Sequence, residues 1–528
     1  MINKPWYLPP SAAGTPRLCE VCTHINFQWL LENDFNNARY THWKSTPAAD
    51  DDLAPKPIKI PWVSEWCEYV FPELSLGFLF EILERSKQCS FCNLVCLSIA
   101  ATYRTDVNSL LSQRFADFPS HFVFCRLVNE KKNVTRRETE KQKEDYDGET
   151  YDLNVDLTNI EPQFWSFKRI SLHRIADQPI PFEGQPVTPR IDFRKVQTWL
   201  AQLEAIDSSQ VPADKLVPGF RVIDVVSKNV VPVDGPSGCR YLILSYVWGG
   251  PQEFQNVGAI EKKLRREGSL TQHPLPRTIE DAILFTAGVG ERYLWVDSLC
   301  IVQDDGDAKM VQIHAMDKIY SCALATIVAS DGTSCHDGLP GVQETPARWQ
   351  QHTADVRGIK FANKQVTHAD KKRTWPTRGW TYQEHVFSKR CIHFSKDGLD
   401  FESEDGLWKE DIHPPPHVPQ PMRLQIGFPM GVAIPDLALF SNVEIYTLSI
   451  MFYLSRNLTF DTDALNAFQG VLNVHRDRFR RDFIFGMPNL LGPGTSPVMV
   501  YDRLSTIQIL EISMQLFAKP LYYTSLYP

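Results

Sequence analysis

The chain has 528 residues and a mass of 60.4 kDa, which is more than one hydrophobic core usually supports and predicts two or three domains. Hydrophobic residues make up 43% of the sequence and charged residues 22%, which excludes a mainly disordered or fibrous chain. The formal net charge of −8 offers no general basic surface to a phosphate backbone, so nucleic acid is not expected as a partner.

No targeting or membrane-spanning segment is predicted. The first ten residues, "MINKPWYLPP", lack the apolar core of a signal peptide, so export is not expected. The most apolar stretch, residues 437–455, contains Asn442 and Glu444 and has helical amphipathicity, which predicts a core helix. A cytoplasmic location follows from these two expectations, and there most cysteines stay reduced or bind metal.

The N-terminal region, residues 1–237, is predicted to be Cys-rich and to contain a small sheet. Two strand-like segments, "HFVFCRLV" and "YDLNVDL", flank a charged and disordered loop near residues 130–150. A further short strand is expected between the Pro and Gly residues of 211–238.

Two CxxC pairs in this region, Cys19/Cys22 and Cys89/Cys92, have the spacing of two halves of a tetrahedral zinc site. The alternative is that these residues are buried free thiols. His24 and Cys96 are further candidate ligands. A structural zinc ion is the cofactor that this spacing predicts.

From residue 238 to 410 strands and helices alternate. The segments "YLILSYVW", 292–302 and "LATIVAS" are predicted strands. Residues 278–290 and 308–323 are predicted helices, the first opening with Thr278 and Asp281 at capping-box spacing. This order predicts an α/β domain with a mostly parallel sheet and helices on both faces.

Such sheets bind ligands at the carboxyl ends of their strands. Trp248 to Gly250 and Asp297 with Ser298 follow two of these strands, so we expect them on one rim.

Residues 377–395 predict a short helix and another strand, and "LDFES" predicts one more. A Pro-rich linker and a helical region are expected over residues 411–528.

Four segments now stand in one order: "YLILSYVWGG", "RTIEDAILFTAGVGERYLWVDSLCIVQDDGD", "QIHAMDKIYSCALATIVAS" and "RGWTYQEHVFSKRCIHF". Together they resemble the fungal heterokaryon incompatibility (HET) domain over about residues 241–394. One departure is that Asp307 precedes Ala308 and Lys309, where the family often has an acidic residue and Trp.

The resemblance implies a cytoplasmic effector or sensor of non-self recognition. This recognition is a form of innate immunity in fungi, in which the fusion of incompatible hyphae triggers programmed cell death. It also implies protein partners or self-association. The HET domain is considered similar to TIR domains, which have a flavodoxin-like fold, and some TIR domains cleave NAD with a glutamate. NAD is therefore a candidate substrate.

Glu384, in "GWTYQE", is the first candidate for a catalytic carboxylate, because a carboxylate stabilises the oxocarbenium-like state of glycosidic cleavage. The alternative is an exposed helix residue or an ion-pair partner of Arg378 or Arg390. Asp297 could order a ligand hydroxyl or cap the following turn.

Five further candidates concern binding. Ser245 and Trp248, with Gly249 permitting close approach of the backbone, could form a wall against which a flat ring stacks, and Trp380 is a second stacking surface. Ser298, beside Asp297 at the end of a predicted strand, is the fifth candidate. For both tryptophans the alternative is a place in the core.

Other motifs are absent or incomplete. The segment "QDDGD" lacks the ligand series of a calcium loop and predicts a turn that leads into a helix. The sequence contains no GxGxxG, Walker A, GxSxG or HExxH pattern. Two functions remain open: a signalling module that self-associates, and an NAD-cleaving enzyme that uses Glu384.

Overall fold

The protein is described by a computed structural model. The described residues are 8, 18–34, 74–103, 106, 108–109, 114–115, 118–119, 124–131, 151–158, 168–176, 178, 183–206, 217–251, 254–345, 347–365, 373–403, 406–413, 442–479, 483–484 and 487–488. They fall into two compact units. The first lies within 1–188, 349–367 and 411–418, and the second within 189–348, 368–410 and 419–528.

The helices of the described residues are, in chain order, α1 (Glu20–Thr23), α2 (Phe27–Glu32), α3 (Leu79–Ser86), α4 (Ser90–Tyr103), α5 (Phe193–Ile206), α6 (Gly258–Leu264), α7 (Arg277–Gly288), α8 (Asp297–Cys300), α9 (Gly306–His314), α10 (Met316–Cys322), α11 (Thr381–Phe387), α12 (Asn442–Leu454) and α13 (Gln469–Phe479).

The strands of the same residues are β1 (Ser75–Phe78), β2 (Arg114–Phe115), β3 (Phe118–Pro119), β4 (Phe124–Lys131), β5 (Tyr151–Thr158), β6 (Lys168–Arg174), β7 (Arg221–Asp224), β8 (Asn229–Pro232), β9 (Tyr241–Ser245), β10 (Tyr293–Trp295), β11 (Ala325–Ala329), β12 (Thr353–Val356), β13 (Ile359–Asn363), β14 (Arg390–Ser395), β15 (Gly398–Ser403), β16 (Gly406–Lys409), β17 (Phe483–Ile484) and β18 (Met487–Pro488).

The first unit contains an antiparallel sheet of six strands in the order β1-β4-β5-β6-β13-β12. Helix α4 packs on this sheet, and Phe27, Phe91 and Phe361 form aromatic contacts in its core. Strands β4 and β5 pair with each other, which confirms that the two predicted strand segments share one sheet. The charged loop lies outside the described residues from 132 onward.

The second unit contains an eight-stranded sheet in the order β16-β15-β14-β11-β9-β10-β7-β8. Its four central strands, β14, β11, β9 and β10, are parallel. Each edge is an antiparallel addition, β15–β16 on one side and β7–β8 on the other. The α/β class is confirmed, whereas the expectation of a mostly parallel sheet is wrong at both edges. Short turns join β14 to β15, β15 to β16 and β7 to β8, so these pairs are antiparallel. The β7–β10 pair is also antiparallel, although its strands are distant in the chain.

Several predicted elements differ in detail. The single strand expected before residue 238 is the β7–β8 hairpin, and the helix expected over 308–323 is divided at Ala315 into α9 and α10. The predicted capping box at Thr278 and Asp281 is wrong, because the N-cap of α7 is Pro276. Both side chains instead accept hydrogen bonds from backbone N–H groups of the segment at residues 338–339.

Where it is described, the C-terminal region of the second unit contains the helices α12 and α13 and the short β17–β18 pair. Helix α12 places Tyr446 and Tyr453 in the hydrophobic core, as expected for the apolar stretch that contains it. Among the described residues, every helix is too short or too polar to cross a bilayer. The Pro-rich linker lies outside the described residues from 414 onward.

The connections of the parallel strands place a crevice at one point of the sheet. After β9 the chain passes to β10 on one side, and from β10 it returns to β11 on the other side of β9. Neighbouring strands whose connections leave in opposite directions open a crevice at their carboxyl ends, and ligands of open α/β sheets bind there. Ser245, which ends β9, and Ser330, which follows β11, lie at this point.

Candidate functional site

The Glu384 carboxylate lies at the carboxyl end of β9. Helix α11 carries it, and its Oε2 accepts a hydrogen bond from the Ser245 hydroxyl. The Ser245 Oγ in turn accepts a hydrogen bond of 2.7 Å from the Trp375 indole N–H. Ser245 and Trp375 are buried, whereas Glu384 is partly exposed. Two successive hydrogen bonds, from Trp375 to Ser245 and from Ser245 to Glu384, therefore orient the Glu384 carboxylate, which remains partly exposed to solvent.

The surroundings of Glu384 change its acidity. Burial raises the pKa of the Glu384 carboxyl to about 7, and the negative charge of Asp297 adds to this increase. The Ser245 hydrogen bond, the positive charge of Arg378 and the interaction with Tyr320 oppose the rise in pKa. A carboxyl with a pKa near 7 can accept and release a proton at neutral pH, which suits a general acid or base.

Asp297 is held by two hydrogen bonds. Its Oδ1 accepts from the Ser298 backbone N–H at 2.7 Å, and its Oδ2 accepts from the Trp248 indole N–H at 3.0 Å. Burial raises the pKa of Asp297 to about 6, although both hydrogen bonds and the charge of Arg378 counteract the change. The Trp248 ring is thus oriented by a carboxylate and remains partly exposed.

Two arginine side chains lie near the Glu384 carboxylate. Arg378 is partly exposed, and its charge favours the ionised forms of both Glu384 and Asp297. Arg456, which follows α12, donates a hydrogen bond of 2.9 Å to Thr381 Oγ1 at the start of α11. The negative charge of Glu384 favours the charged form of Arg456. Burial lowers the pKa of the Arg456 guanidinium to about 10.

Other predicted residues have supporting or separate places. Ser298 is buried, and its Oγ accepts a hydrogen bond of 3.0 Å from the Tyr246 hydroxyl. Gly249 has φ +78°, and a Cβ there would lie 2.5 Å from Ser334 Cβ, so protein already fills that space. Trp380 is the N-cap of α11 and packs partly buried against the core.

The structure therefore brings Ser245, Trp248, Asp297 and Glu384 to one rim, with Ser298 behind them. Sequence reasoning missed Tyr320 and Arg456 as neighbours of the carboxylates. Nothing in their local sequence marks them, since one lies in an ordinary amphipathic helix and the other beyond the Pro-rich stretch.

The turn "QDDGD" leads into α9 as predicted, with Asp305 as its N-cap.

The four cysteines of the first unit also converge. The sulfur atoms of Cys19, Cys22, Cys89 and Cys92 all lie within 4.8 Å of one another. Cys92 Sγ is 3.7 Å from both Cys19 Sγ and Cys22 Sγ, and a tetrahedral site with metal–sulfur bonds of about 2.3 Å needs sulfur atoms about 3.8 Å apart.

The remaining details of this cluster fit a metal. The Cys92 backbone N–H donates to Cys89 Sγ at 3.5 Å, as in a CxxC turn that presents both sulfurs to one ion. Cys96, the alternative ligand, is a separate buried thiol whose pKa burial raises to about 11. The four cysteines could therefore hold a metal ion.

The family model described as "Heterokaryon incompatibility protein (HET)" matches residues 241–384. This range begins at β9 and ends at Glu384, so Ser245, Trp248 and Asp297 lie within it. No curated protein and no solved structure matches the chain.

We predict that Glu384→Gln stabilises the second unit at neutral pH. A carboxyl with a raised pKa in the folded state costs stability once pH exceeds its unfolded pKa of about 4.3. The gain from Glu384→Gln should grow between about pH 4.5 and 7, then level off at roughly 1–3 kcal/mol, in urea unfolding of both proteins.

The matched control is Glu267→Gln, because Glu267 is exposed. At neutral pH its free energy of unfolding should differ less from that of the unmodified protein than the free energy of Glu384→Gln does. A difference for Glu384→Gln that does not change with pH would contradict a raised pKa at Glu384.

Proposed function

Because this is a HET-domain protein, we propose that it is a cytoplasmic effector of heterokaryon incompatibility in a fungus, and that its HET domain promotes programmed cell death. The observation that carries this proposal is the family match over residues 241–384. In this role the domain is a signalling module of an innate immune response, with protein partners or further copies of itself as its ligands.

A TIR-like architecture is part of the proposal. Numbered along the chain, the parallel strands β9, β10, β11 and β14 stand in the order 2-1-3-4. Flavodoxin-like sheets have the order 2-1-3-4-5 and bind their ligand at the switch point between strands 1 and 3. The strand order and the position of Ser245 at that point support the resemblance.

We propose NAD cleavage as a second candidate function, and the geometry of Glu384 favours it. The reaction breaks the bond between the ribose C1′ and the nicotinamide nitrogen, and water supplies the new oxygen at C1′. NAD and water thus give ADP-ribose, nicotinamide and a proton. An ionised Glu384 would stabilise the positive charge at C1′ and bind ribose hydroxyls.

The neighbours of Glu384 would serve the rest of such a substrate. The Trp248 ring is partly exposed, and its indole N–H donates a hydrogen bond to Asp297. A ring oriented in this way suits stacking of a flat base. Arg378 is a partly exposed cation beside both carboxylates and would pair with a phosphate. A carboxyl with a pKa near 7 can also take the proton that the attacking water releases.

We also propose that the metal of the first unit is structural zinc. Four thiolates at tetrahedral spacing suit Zn²⁺, and four protein ligands leave no open position for catalysis.

The two functions predict different results for one set of proteins. The purified full chain is incubated with NAD at several protein concentrations, while nicotinamide release and molar mass are followed. Catalysis predicts release that Glu384→Gln lowers by about 10²–10³-fold and that Glu267→Gln leaves unchanged. The same variants are expressed in a fungal host and scored for cell death.

The outcomes separate the proposals. Death that persists in Glu384→Gln, together with assembly but no nicotinamide release, would overturn the enzyme and support the signalling module. Absence of death and of assembly with the unmodified chain would overturn the effector role.

Zinc at the four cysteines predicts that the purified protein contains an ion that Cys22→Ser releases. Mass-spectrometric metal analysis measures it, with Cys125→Ser as the control, because Cys125 is a buried thiol of the same unit outside the cluster. An unchanged zinc content in Cys22→Ser would contradict the assignment.

A further inference from the structure

A second group of metal-ligating side chains lies in the second unit, and its first member directly follows Glu384 in the chain. It consists of His385, Cys391, His393 and Glu402. One ligand atom from each lies within 4.8 Å of the others, and all four residues are buried. The spacing of these residues in the sequence matches no common zinc motif.

The register of one hairpin assembles three of these ligands. Cys391 and His393 are two residues apart on β14, so they point to the same face of the sheet. Glu402 on β15 is the pairing partner of Cys391 and shares that face. His385 completes the group from α11, the helix that carries Glu384.

The imidazoles converge on one point. His385 Nε2 lies 3.1 Å and His393 Nε2 2.7 Å from the same oxygen, Oε2 of Glu402. In a tetrahedral zinc site such donor atoms are about 3.3–3.8 Å apart, so small outward movements would admit an ion. The other ring nitrogen of His393, Nδ1, is 3.2 Å from Ser330 Oγ, which is the outer hydrogen bond that metal-bound histidines usually make.

The surroundings of the group favour a divalent ion. The Trp375 ring packs edge-on against His385 and His393, with centroids 5.3 and 5.9 Å away. Burying the ionised carboxylate of Glu402 is costly without a positive charge beside it. A divalent cation with Cys391 as thiolate, Glu402 as carboxylate and two neutral imidazoles has no net charge.

We propose that His385, Cys391, His393 and Glu402 bind one Zn²⁺ ion. The mixture of sulfur, imidazole and carboxylate ligands favours zinc over magnesium or calcium, which prefer oxygen alone. Because four protein ligands close the coordination sphere, the ion is structural. It fixes α11 to the β14–β15 hairpin and thereby the position of Glu384. This proposal does not depend on the function proposed above.

Metal analysis of the full-length chain tests the site. We expect one equivalent of zinc that survives in the double variant Cys22→Ser/Cys92→Ser and is lost in His385→Ala and in Cys391→Ser. His336→Ala and Cys300→Ser are the controls, because these residues belong to the same unit and lie outside the group. Zinc that disappears entirely with Cys22→Ser/Cys92→Ser would overturn the proposal.

Cobalt provides a second readout that does not need the Cys391 variant to fold. Co²⁺ added to Cys22→Ser/Cys92→Ser, after a chelator has removed its zinc, should give the visible bands of a tetrahedral ion and a thiolate-to-cobalt charge-transfer band. Absence of both bands would mean that the group is a hydrogen-bonded His–Glu–His set without metal, and the proposal would fall.

Discussion

The site depends on the burial of one carboxyl group beside another. Burial raises the pKa of both Glu384, which lies within α11, and Asp297, which begins α8, and the negative charge of Asp297 raises the pKa of Glu384 further. Ser245, the Trp248 indole and the charge of Arg378 work against that cost. The balance leaves both groups with pKa values closer to neutrality than those of exposed carboxyls.

The sheet makes this arrangement possible. Four parallel strands bring the ends of β9 and β11 to one switch point, and α11 places Glu384 there from a distant part of the sequence. The antiparallel strand β15 contributes Glu402 to a buried group that also contains His385, the neighbour of Glu384 in the chain. A rigid attachment of α11 would hold the Glu384 carboxylate in reach of Ser245, as accurate catalytic positioning requires.

The rim could be predicted from the sequence for a physical reason. Apolar runs such as β9 identify buried parallel strands, and their carboxyl ends must share one edge, so the sequence predicts Trp248 and Asp297 on one rim. Glu384 lies within α11 and reaches the same place, where it accepts a hydrogen bond from Ser245. The antiparallel pairing of β7 with β10 could not be predicted, because it joins segments that are distant in the chain. The His385 group was missed because its ligands meet only through the register of β14 with β15.

Infrared spectroscopy of the Glu384 carboxyl tests the central claim most directly. The absorption band of a protonated carboxyl that disappears in Glu384→Gln should titrate with a midpoint near pH 7 in the unmodified protein. The midpoint should fall in Asp297→Asn, because that change removes a nearby negative charge. A midpoint of about 4.3, the value of an exposed glutamate, that does not respond to Asp297→Asn would contradict the account.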